Sequence, residues 1–478
     1  MAAQKSPIYL VAQRKADTFL NGWVPPFGIM CVGEALRRAG HRVRLFHLSG
    51  DDDQALAEAL ASERPLFVGF SNSISPTVSR DLRLSRLVGA QGIKVVWGGM
   101  FATLLPEETL KSGLVDYVVR GEGERAATGL AEAIASGAEP AGIEGVGFRR
   151  GEEIVLTPPA PPEDDLDRFP HGMDLIDWGK YVVADRVTGN RITSLNLSRG
   201  CPFRCNFCYN SALSTRQRWR SYSTEYAAEM ASYLKKRHGA DTVCLQDDNP
   251  FGKAGEARRI IEALGLKWLA ACQLMTVSKD FVAWCRETGC QVLSFGAESG
   301  SDRMLKHINK GFTSADLRER LGLFPGQDIE VWSNWMAFLP GETVEDRRLT
   351  FSLMDEIHAG NRRHRMRIAA FEAYPGTPFW DECVNMGFRV PRGLTEWTCY
   401  EKRIHRLLGS SDRQVKRMSS DSMLLYHRPQ TEPSPVPSLL RPLLRRRFRA
   451  ATFRGPVEEM LHYGRVARDA VAGRKRLP

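Results

Sequence analysis

The sequence predicts an α/β protein: a doubly wound parallel sheet, then a partial (β/α) barrel, then a mainly helical, basic C-terminal region. Three observations predict it. Up to residue 156, five short apolar runs rich in β-branched side chains alternate with helix-like stretches. The same alternation resumes after a proline-rich break. Beyond a second proline-rich break the composition turns to arginine and leucine.

The first runs are PIYLVA, HRVRLFHL, PLFVGFS, IKVVWGG and VDYVVRGEGE. Between them lie FGIMCVGEALRRAG, DDQALAEALASE and SRDLRLSRLVGAQG. Strands separated by helices argue for a parallel sheet covered on both faces. The expected strand order is flavodoxin-like, and such sheets bind ligands at the carboxyl ends of their strands. Those ends carry SNSIS with Ser71 and Ser73, GGMFAT with Gly98, Gly99 and Thr103, and RGEGE with Gly121 and Glu122. Glycines there let backbone approach a large ligand closely, or simply make tight turns.

LTPPAPPEDDLDRFP is proline-rich and acidic, so an extended linker is expected over 157–185. Region 186–385 then repeats β/α units: ITSLNLSRG, DTVCLQDDNPF, KWLAACQL, CQVLSFGAESGS, IEVWSNWMAFLPGET and RMRIAAFEAYPGTPF. In barrels built of such units the chemistry sits on loops at the C-terminal ends of the strands. The remaining residues, 386–478, form the C-terminal region.

Composition bounds the class. The 478 residues are 43% apolar and 26% charged, as in an ordinary soluble globular protein. No run approaches the ~18 apolar residues of a membrane span. MAAQKSPIYLVAQ has no long apolar core, so no signal peptide is expected. The ten cysteines are mostly scattered singly, which predicts a reducing, cytoplasmic compartment. A net charge of +10 raises the question of an acidic partner.

Cys201, Cys205 and Cys208 stand in the spacing C-x3-C-x2-C. A disulfide uses two cysteines, and a structural zinc usually takes four ligands. Three thiolates on one loop suit an iron–sulfur cluster with one iron left open. Pro202, Phe203 and Phe207 are expected to shield it. A zinc site would need a fourth ligand, and the nearest histidine downstream is His238, within a helical pattern. Unmetallated core cysteines are the third reading.

CPFRCNFC resembles the signature loop of the radical S-adenosylmethionine (AdoMet) enzymes, with Phe207 at the aromatic position before the last cysteine. Further motifs follow in the order of that family. LQDDNPF (Leu245 to Phe251) resembles its second-strand acidic motif. FGAESGSDRMLKHINKG resembles the strand whose glutamate contacts the AdoMet ribose, here Glu298 with Ser299 beside it. FLPGET and YPGTPF complete the series. The resemblance implies a 4Fe–4S cluster on the three cysteines, with AdoMet chelated by the open iron and cleaved to a 5′-deoxyadenosyl radical. Tyr209, Asp247, Asp248 and Asn249 become candidates for holding AdoMet or substrate, or else loop caps.

A flavodoxin-like domain placed before such a barrel resembles the cobalamin-dependent subgroup. VVWGGMFATLLPEETLKSGLVDYVVRGEGE is similar to its B12-binding segment. Two departures stand out. Where methionine-synthase-type domains carry D-x-H-x-x-G, this chain reads VAQRKADTFLNG, without histidine. Position 101 is Phe where many relatives have His. His41 and His47, the domain's only histidines, read as surface or packing residues. Cobalamin is therefore expected base-off, with no protein histidine below the cobalt.

The two cofactors together imply methylation of an unactivated carbon in a small molecule, pigment or lipid, with AdoMet serving both as radical source and as methyl donor to cobalt. Positioning and exclusion of water then matter more than acid–base chemistry, and no general base is nominated. An external one-electron reductant of flavodoxin or ferredoxin type is implied. Two other outcomes compete: an oxidative cyclisation or rearrangement of the tetrapyrrole type, and a cobalamin- or cluster-binding regulator without turnover. A tRNA methylthiotransferase would carry extra cysteines in its N-terminal domain, which here has only Cys31.

The remaining signals are plainer. Cys285 and Cys290 read as small buried hydrophobes. Trp332, Trp335, Trp380 and Trp397 read as core packing before cavity lining. LLRPLLRRRFRAATFR, after HRPQTEPSPVPS, reads as a helix packed over the barrel with a solvated basic face. Contact with an anionic membrane surface comes next, and nucleic acid last.

Overall fold

The structure is a computed structural model describing residues 6–14, 24–49, 53–74, 78–184, 189–213 and 218–426. Five strands form where the apolar runs predict them: β1 (Ile8–Gln13), β2 (Val43–Leu48), β3 (Phe67–Asn72), β4 (Lys94–Gly99) and β5 (Tyr117–Val119). They lie in the order β2-β1-β3-β4-β5, each parallel to its neighbour, which is the flavodoxin order. All six residues of β1 are buried, so this strand is covered on both faces and reads as unbroken hydrophobicity. The helices Phe27–Arg38 and Gly123–Ser136 contribute Leu36 and Leu130 to a core that includes Ile8, Leu10, Phe67 and Val96. The direction of chain winding reverses between β1 and β3, so their carboxyl ends flank the crevice where such sheets take ligands.

Two strands of this sheet were not anticipated. β6 (Val146–Arg150) and β7 (Glu153–Leu156) extend the sheet antiparallel beyond β5. Their sequence, VGFRRGEEIVL, carries four charges in eleven residues because it forms an edge hairpin turning at Gly151, whose φ is +63°. Nor is the linker wholly extended. Three short 3-10 turns interrupt it at Leu166–Arg168, Met173–Leu175 and Trp178–Lys180. Asp165 and Asp177 cap two of them by accepting from Asp167 N and Gly179 N, a local choice open to aspartate in any polar stretch.

The chain divides into two compact units, residues 1–293 with 373–404, and residues 294–372 with 405–478. Beyond the first sheet, the first unit holds β8 (Val183–Ala184), β9 (Arg191–Leu195), a hairpin of β10 (Ser198–Arg199) and β11 (Arg220–Ser221), β12 (Thr242–Leu245) and β13 (Lys267–Cys272). β13, β12 and β9 run parallel, with β8 antiparallel at the edge. The helices Thr224–His238, Ala254–Leu264 and Lys279–Glu287 alternate with them. The first of these ends on Gly239 in the left-handed conformation, and its basic last turn opposes the helix dipole.

The strand β14 (Cys290–Glu298) begins in the first unit and ends in the second. In the second unit β15 (Glu330–Ala337) and β16 (Arg365–Ala370) are parallel. Its helices Ser314–Leu321 and Val344–Gly360 both start with a Thr/Asp capping box. These β/α repeats are those of a partial barrel. The described part of the C-terminal region is helical, at Leu394–Trp397, Tyr400–Leu407 and Asp412–Tyr426. The basic segment over 439–454, with its leucines, lies outside the described residues. Among the described residues no helix is long and apolar enough to cross a membrane.

Candidate functional site

The three-cysteine loop leaves the carboxyl end of β9. Cys201 and Cys205 are buried and Cys208 is half-buried. Cys208 N donates to Cys205 O at 3.0 Å, and Cys208 opens the short helix Tyr209–Ala212. Burial pushes the Cys208 thiol up to about 12, and charge on Cys205, Asp248 and Cys201 adds to the push. Three thiolates on one loop are a donor set whose chemistry suits an iron–sulfur cluster, while among the described residues no three His, Cys, Asp or Glu side chains stand grouped to hold a metal ion. Phe207 is half-buried beside them, whereas Pro202 and Phe203 are exposed. The three residues between Cys201 and Cys205 arch outward, so the shielding expected of Pro202 and Phe203 does not come from their burial.

The stem of this loop is clamped by Asp247. Its Oδ1 accepts from Leu197 N at 3.1 Å and from the Ser198 hydroxyl. Its Oδ2 is buried without a partner, and burial raises its pKa to about 7. The neighbouring Asp248 faces the other way and accepts from Tyr209 OH at 2.8 Å. The Tyr209 ring meets Tyr374 of YPGTPF edge-on at 6.1 Å. Phe379 N donates to Asn206 O at 3.1 Å. Two motifs far apart in sequence thus converge on the cysteine loop. Asn249 caps its own loop, with its carbonyl on Trp219 Nε1 and its side chain on Phe251 N.

At the carboxyl ends of the first sheet, Gly99 has φ +86°, and a Cβ there would lie 2.5 Å from Asn72 O. Backbone therefore closes on backbone where a large ligand would lie. Thr103 ties two loops together: its Oγ1 donates to Gly99 O at 2.7 Å and accepts from Gly121 N at 3.0 Å. Gly98 precedes this junction, and Ser71 and Ser73 stand half-buried at the end of β3. Asn72 between them donates to the buried Asp81, which also accepts from Gln13 at the end of β1. Phe101 is fully buried, edge-on to Trp97 and Trp397 at 6.0 and 5.8 Å. His47 is buried and shares a 2.7 Å hydrogen bond with Tyr181 OH, and burial lowers its pKa to about 4. The glycine-walled cradle suits a corrinoid, and Phe101 beside it is committed to aromatic packing.

Glu122 does not stand free at this edge. Both its carboxylate oxygens take the buried Arg220 guanidinium, at 2.6 and 3.1 Å. Arg199 binds Glu124 at 2.7 Å and approaches Glu122 at 3.4 Å. The turn RGEGE is thereby bolted to the hairpin that leads into Cys201.

In the second unit Glu298 ends β14 with φ +63°, closed by a 2.8 Å bond from Ser299 N to Ala297 O. A non-glycine residue in this region is strained, which marks a site that the surroundings hold in place. Glu298 is buried and pairs with the buried Lys310 at 2.9 Å. Gly296 leaves the room: a Cβ there would meet Lys310 Nζ at 2.9 Å and clash with the carboxylate. Ser299 Oγ and Gly300 N both bond to Thr350 Oγ1, at 3.1 and 2.9 Å. Asp346 joins Ser301, Arg303 and the Thr343 cap. The motifs FGAESGS and FLPGET are thus laced together.

Sequence reasoning missed Arg199, Arg220, Lys310 and the trio Gln13, Asn72 and Asp81. Lys310 stood inside a quoted motif, but nothing in the spacing pairs it with Glu298. The arginines carried no local signal, because their partners lie 75 and 98 positions away.

Comparison with known proteins agrees with this layout. The family described as B12 binding domain matches residues 20–131, and the Radical SAM superfamily matches residues 195–354. The anaerobic magnesium-protoporphyrin IX monomethyl ester cyclase of Synechocystis sp. is 29% identical over 68% of this chain and 66% of its own length. This chain thus spans slightly less than two thirds of the cyclase. An uncharacterized methyltransferase of Pyrococcus horikoshii is 26% identical over 85% of this chain and 88% of its own. Among solved structures, the radical S-adenosylmethionine methyltransferase TsrM from Kitasatospora setae, with cobalamin and a 4Fe–4S cluster bound, superposes with a TM-score of 0.65. The match covers 98% of this chain and 100% of that one at 16% identity, a likeness of fold. In domain content this chain carries a match to a B12 binding domain followed by a match to the Radical SAM superfamily, and its fold is that of the TsrM structure.

Proposed function

We propose that this protein is a radical AdoMet enzyme that uses a 4Fe–4S cluster and cobalamin to transfer a methyl group to an unactivated carbon of a small-molecule, pigment or lipid substrate. The observation that carries the reading is that one compact unit holds both the three-cysteine loop and the glycine-walled cradle at the sheet's carboxyl ends. Cys201, Cys205 and Cys208 would hold the cluster, with Phe207, Tyr209 and Asp248 bordering the AdoMet side. Glu298, with Ser299 behind it, would orient the AdoMet ribose. Gly98, Gly99, Thr103, Gly121, Ser71 and Ser73 would line the corrinoid.

Bound together, the two groups supply a hydrogen-abstracting radical and a methyl donor. The chain's own residues supply rigidity. Asp247 holds the loop stem, the Thr103 bonds hold the cradle, and Lys310 keeps Glu298 in its strained conformation. A diffusible one-electron reductant completes the cycle, and a cytoplasmic location suits the free thiols.

A second reading, oxidative cyclisation or rearrangement, is favoured by the similarity to the protoporphyrin ester cyclase. Anaerobic reconstitution with iron, sulfide and hydroxocobalamin, followed by reductant and AdoMet, separates the two. Both 5′-deoxyadenosine and S-adenosylhomocysteine are expected for methyl transfer. Deoxyadenosine alone selects cyclisation. Absence of both, with iron retained in a Cys205→Ala variant, rules out either.

A further inference from the structure

We infer that Glu122 and Glu124, acting through Arg220 and Arg199, are positioning residues that set the register of the corrinoid cradle against the cluster loop. The inference rests on the functional reading above and extends it to these four residues, moving Glu122 from the corrinoid edge to the joint behind it.

The geometry is a continuous chain of short links. Gly99 O takes Thr103 Oγ1, and Thr103 Oγ1 takes Gly121 N. Glu122 is the next residue and stands at the N-cap position of the helix Gly123–Ser136, its side chain turned to Arg220 instead of the helix. Its carboxylate receives Arg220 in a two-pronged bond, and Glu124 receives Arg199. Arg199 lies two residues before Cys201. On the other side of the stem, Asp247 fixes Leu197 and Ser198. Every residue from Leu197 to Arg199 is thus held either by the barrel or by the B12-binding domain.

The chemistry favours a rigid joint over a sliding one. The Arg220 side chain is 3% exposed and that of Glu124 is 6% exposed. Bidentate guanidinium–carboxylate pairs fix angle as well as distance. Arg220 Nη1 also donates to Glu163 O, and Glu163 N donates back to Glu122, so the linker is stitched to the same joint. A buried ion pair adds little net stability over an apolar pair, so the role inferred for these two is to fix the arrangement. Methyl and radical chemistry on one substrate depend on such an arrangement, since an error on the order of 1 Å can cost on the order of 10²-fold in rate.

The test uses full-length protein reconstituted with iron, sulfide and hydroxocobalamin. Glu122→Asp and Glu124→Asp keep the charge and shorten each link by one methylene, and Arg220→Lys keeps the charge and loses the fork. Pulsed EPR measures the dipolar coupling between cob(II)alamin and the reduced cluster. S-adenosylhomocysteine and 5′-deoxyadenosine are quantified with AdoMet and reductant alone. The variants are expected to bind wild-type amounts of iron and cobalamin, to show a shifted or broadened coupling, and to lose about tenfold or more in S-adenosylhomocysteine while still forming deoxyadenosine.

A wild-type coupling in variants holding both cofactors overturns the inference. So does loss of iron, or failure of all three variants to fold, because either assigns the joint to stability alone. Wild-type protein that takes up no cobalamin overturns the functional reading as well, a failure visible before any substitution is made.

Discussion

Arg199 and Arg220 stand directly opposite each other on the antiparallel β10–β11 hairpin. Like charges in that position destabilise a strand pair. The hairpin forms here because Glu124 and Glu122 meet the two guanidinium groups from outside. Removing one partner of such a buried pair leaves an uncompensated charge, at about 3–5 kcal/mol. Glu124→Leu is therefore expected to lower stability strongly, while adding Arg199→Met to it recovers most of the loss. Anaerobic denaturant unfolding of the four members of this cycle checks it, and strictly additive single effects refute the coupling.

Asp247 predicts a pH dependence. Its folded pKa, about 7, is raised above the ordinary carboxyl value of 3.8, first by burial. A raised carboxyl contributes stability that is fully present below the unfolded value and is lost as pH rises through the folded one. The protein should therefore lose stability between about pH 4 and pH 7 through this group. Asp247→Asn keeps an acceptor for Leu197 N and Ser198 Oγ and should flatten that slope. Unfolding midpoints at several pH values decide it, and an unchanged slope in the variant would be the adverse result.

Gly99 predicts a close-packed cradle. At φ +86° and ψ −164° it occupies backbone space open essentially to glycine. Gly99→Ala is expected to cost about 1–3 kcal/mol from strain alone, and more from the contact with Asn72 O. Cobalamin uptake, read from the corrinoid absorbance of the reconstituted protein, should fall sharply. Gly113→Ala, also at positive φ but with nothing within 4 Å of its Cβ, serves as the control for strain without crowding.

Glu298 predicts a coupled pair. Glu298→Gln leaves the buried Lys310 ammonium without its carboxylate, and the strained turn loses its anchor. Calorimetric titration with S-adenosylhomocysteine should show at least about tenfold weaker binding, equivalent to ~1.4 kcal/mol. Lys310→Met should weaken binding as well, because the unpaired glutamate is free to turn. Wild-type affinity in both variants would remove these residues from the nucleoside site.

Local sequence determined the elements and the chemistry of the site. Unbroken apolar runs require strands covered on both faces, which is why β1 to β5 appear where they were expected. Three cysteines within eight residues must share one loop whatever the rest of the chain does. The edge hairpin β6–β7 escaped because an edge strand carries charge on its solvent face and so lacks the periodic signal.

Tertiary structure alone decided what each polar residue holds. Asp247 and Asp248 are adjacent, yet one is turned inward onto the loop stem and the other outward to Tyr209. Glu122, expected at the corrinoid edge, is committed to Arg220, 98 positions away. Pairings over such separations leave no period in the sequence, because they depend on which strand ends the fold brings together. The residue types for two cofactors are therefore written in the chain, while the joint between their platforms exists only once the B12-binding domain has packed against the hairpin.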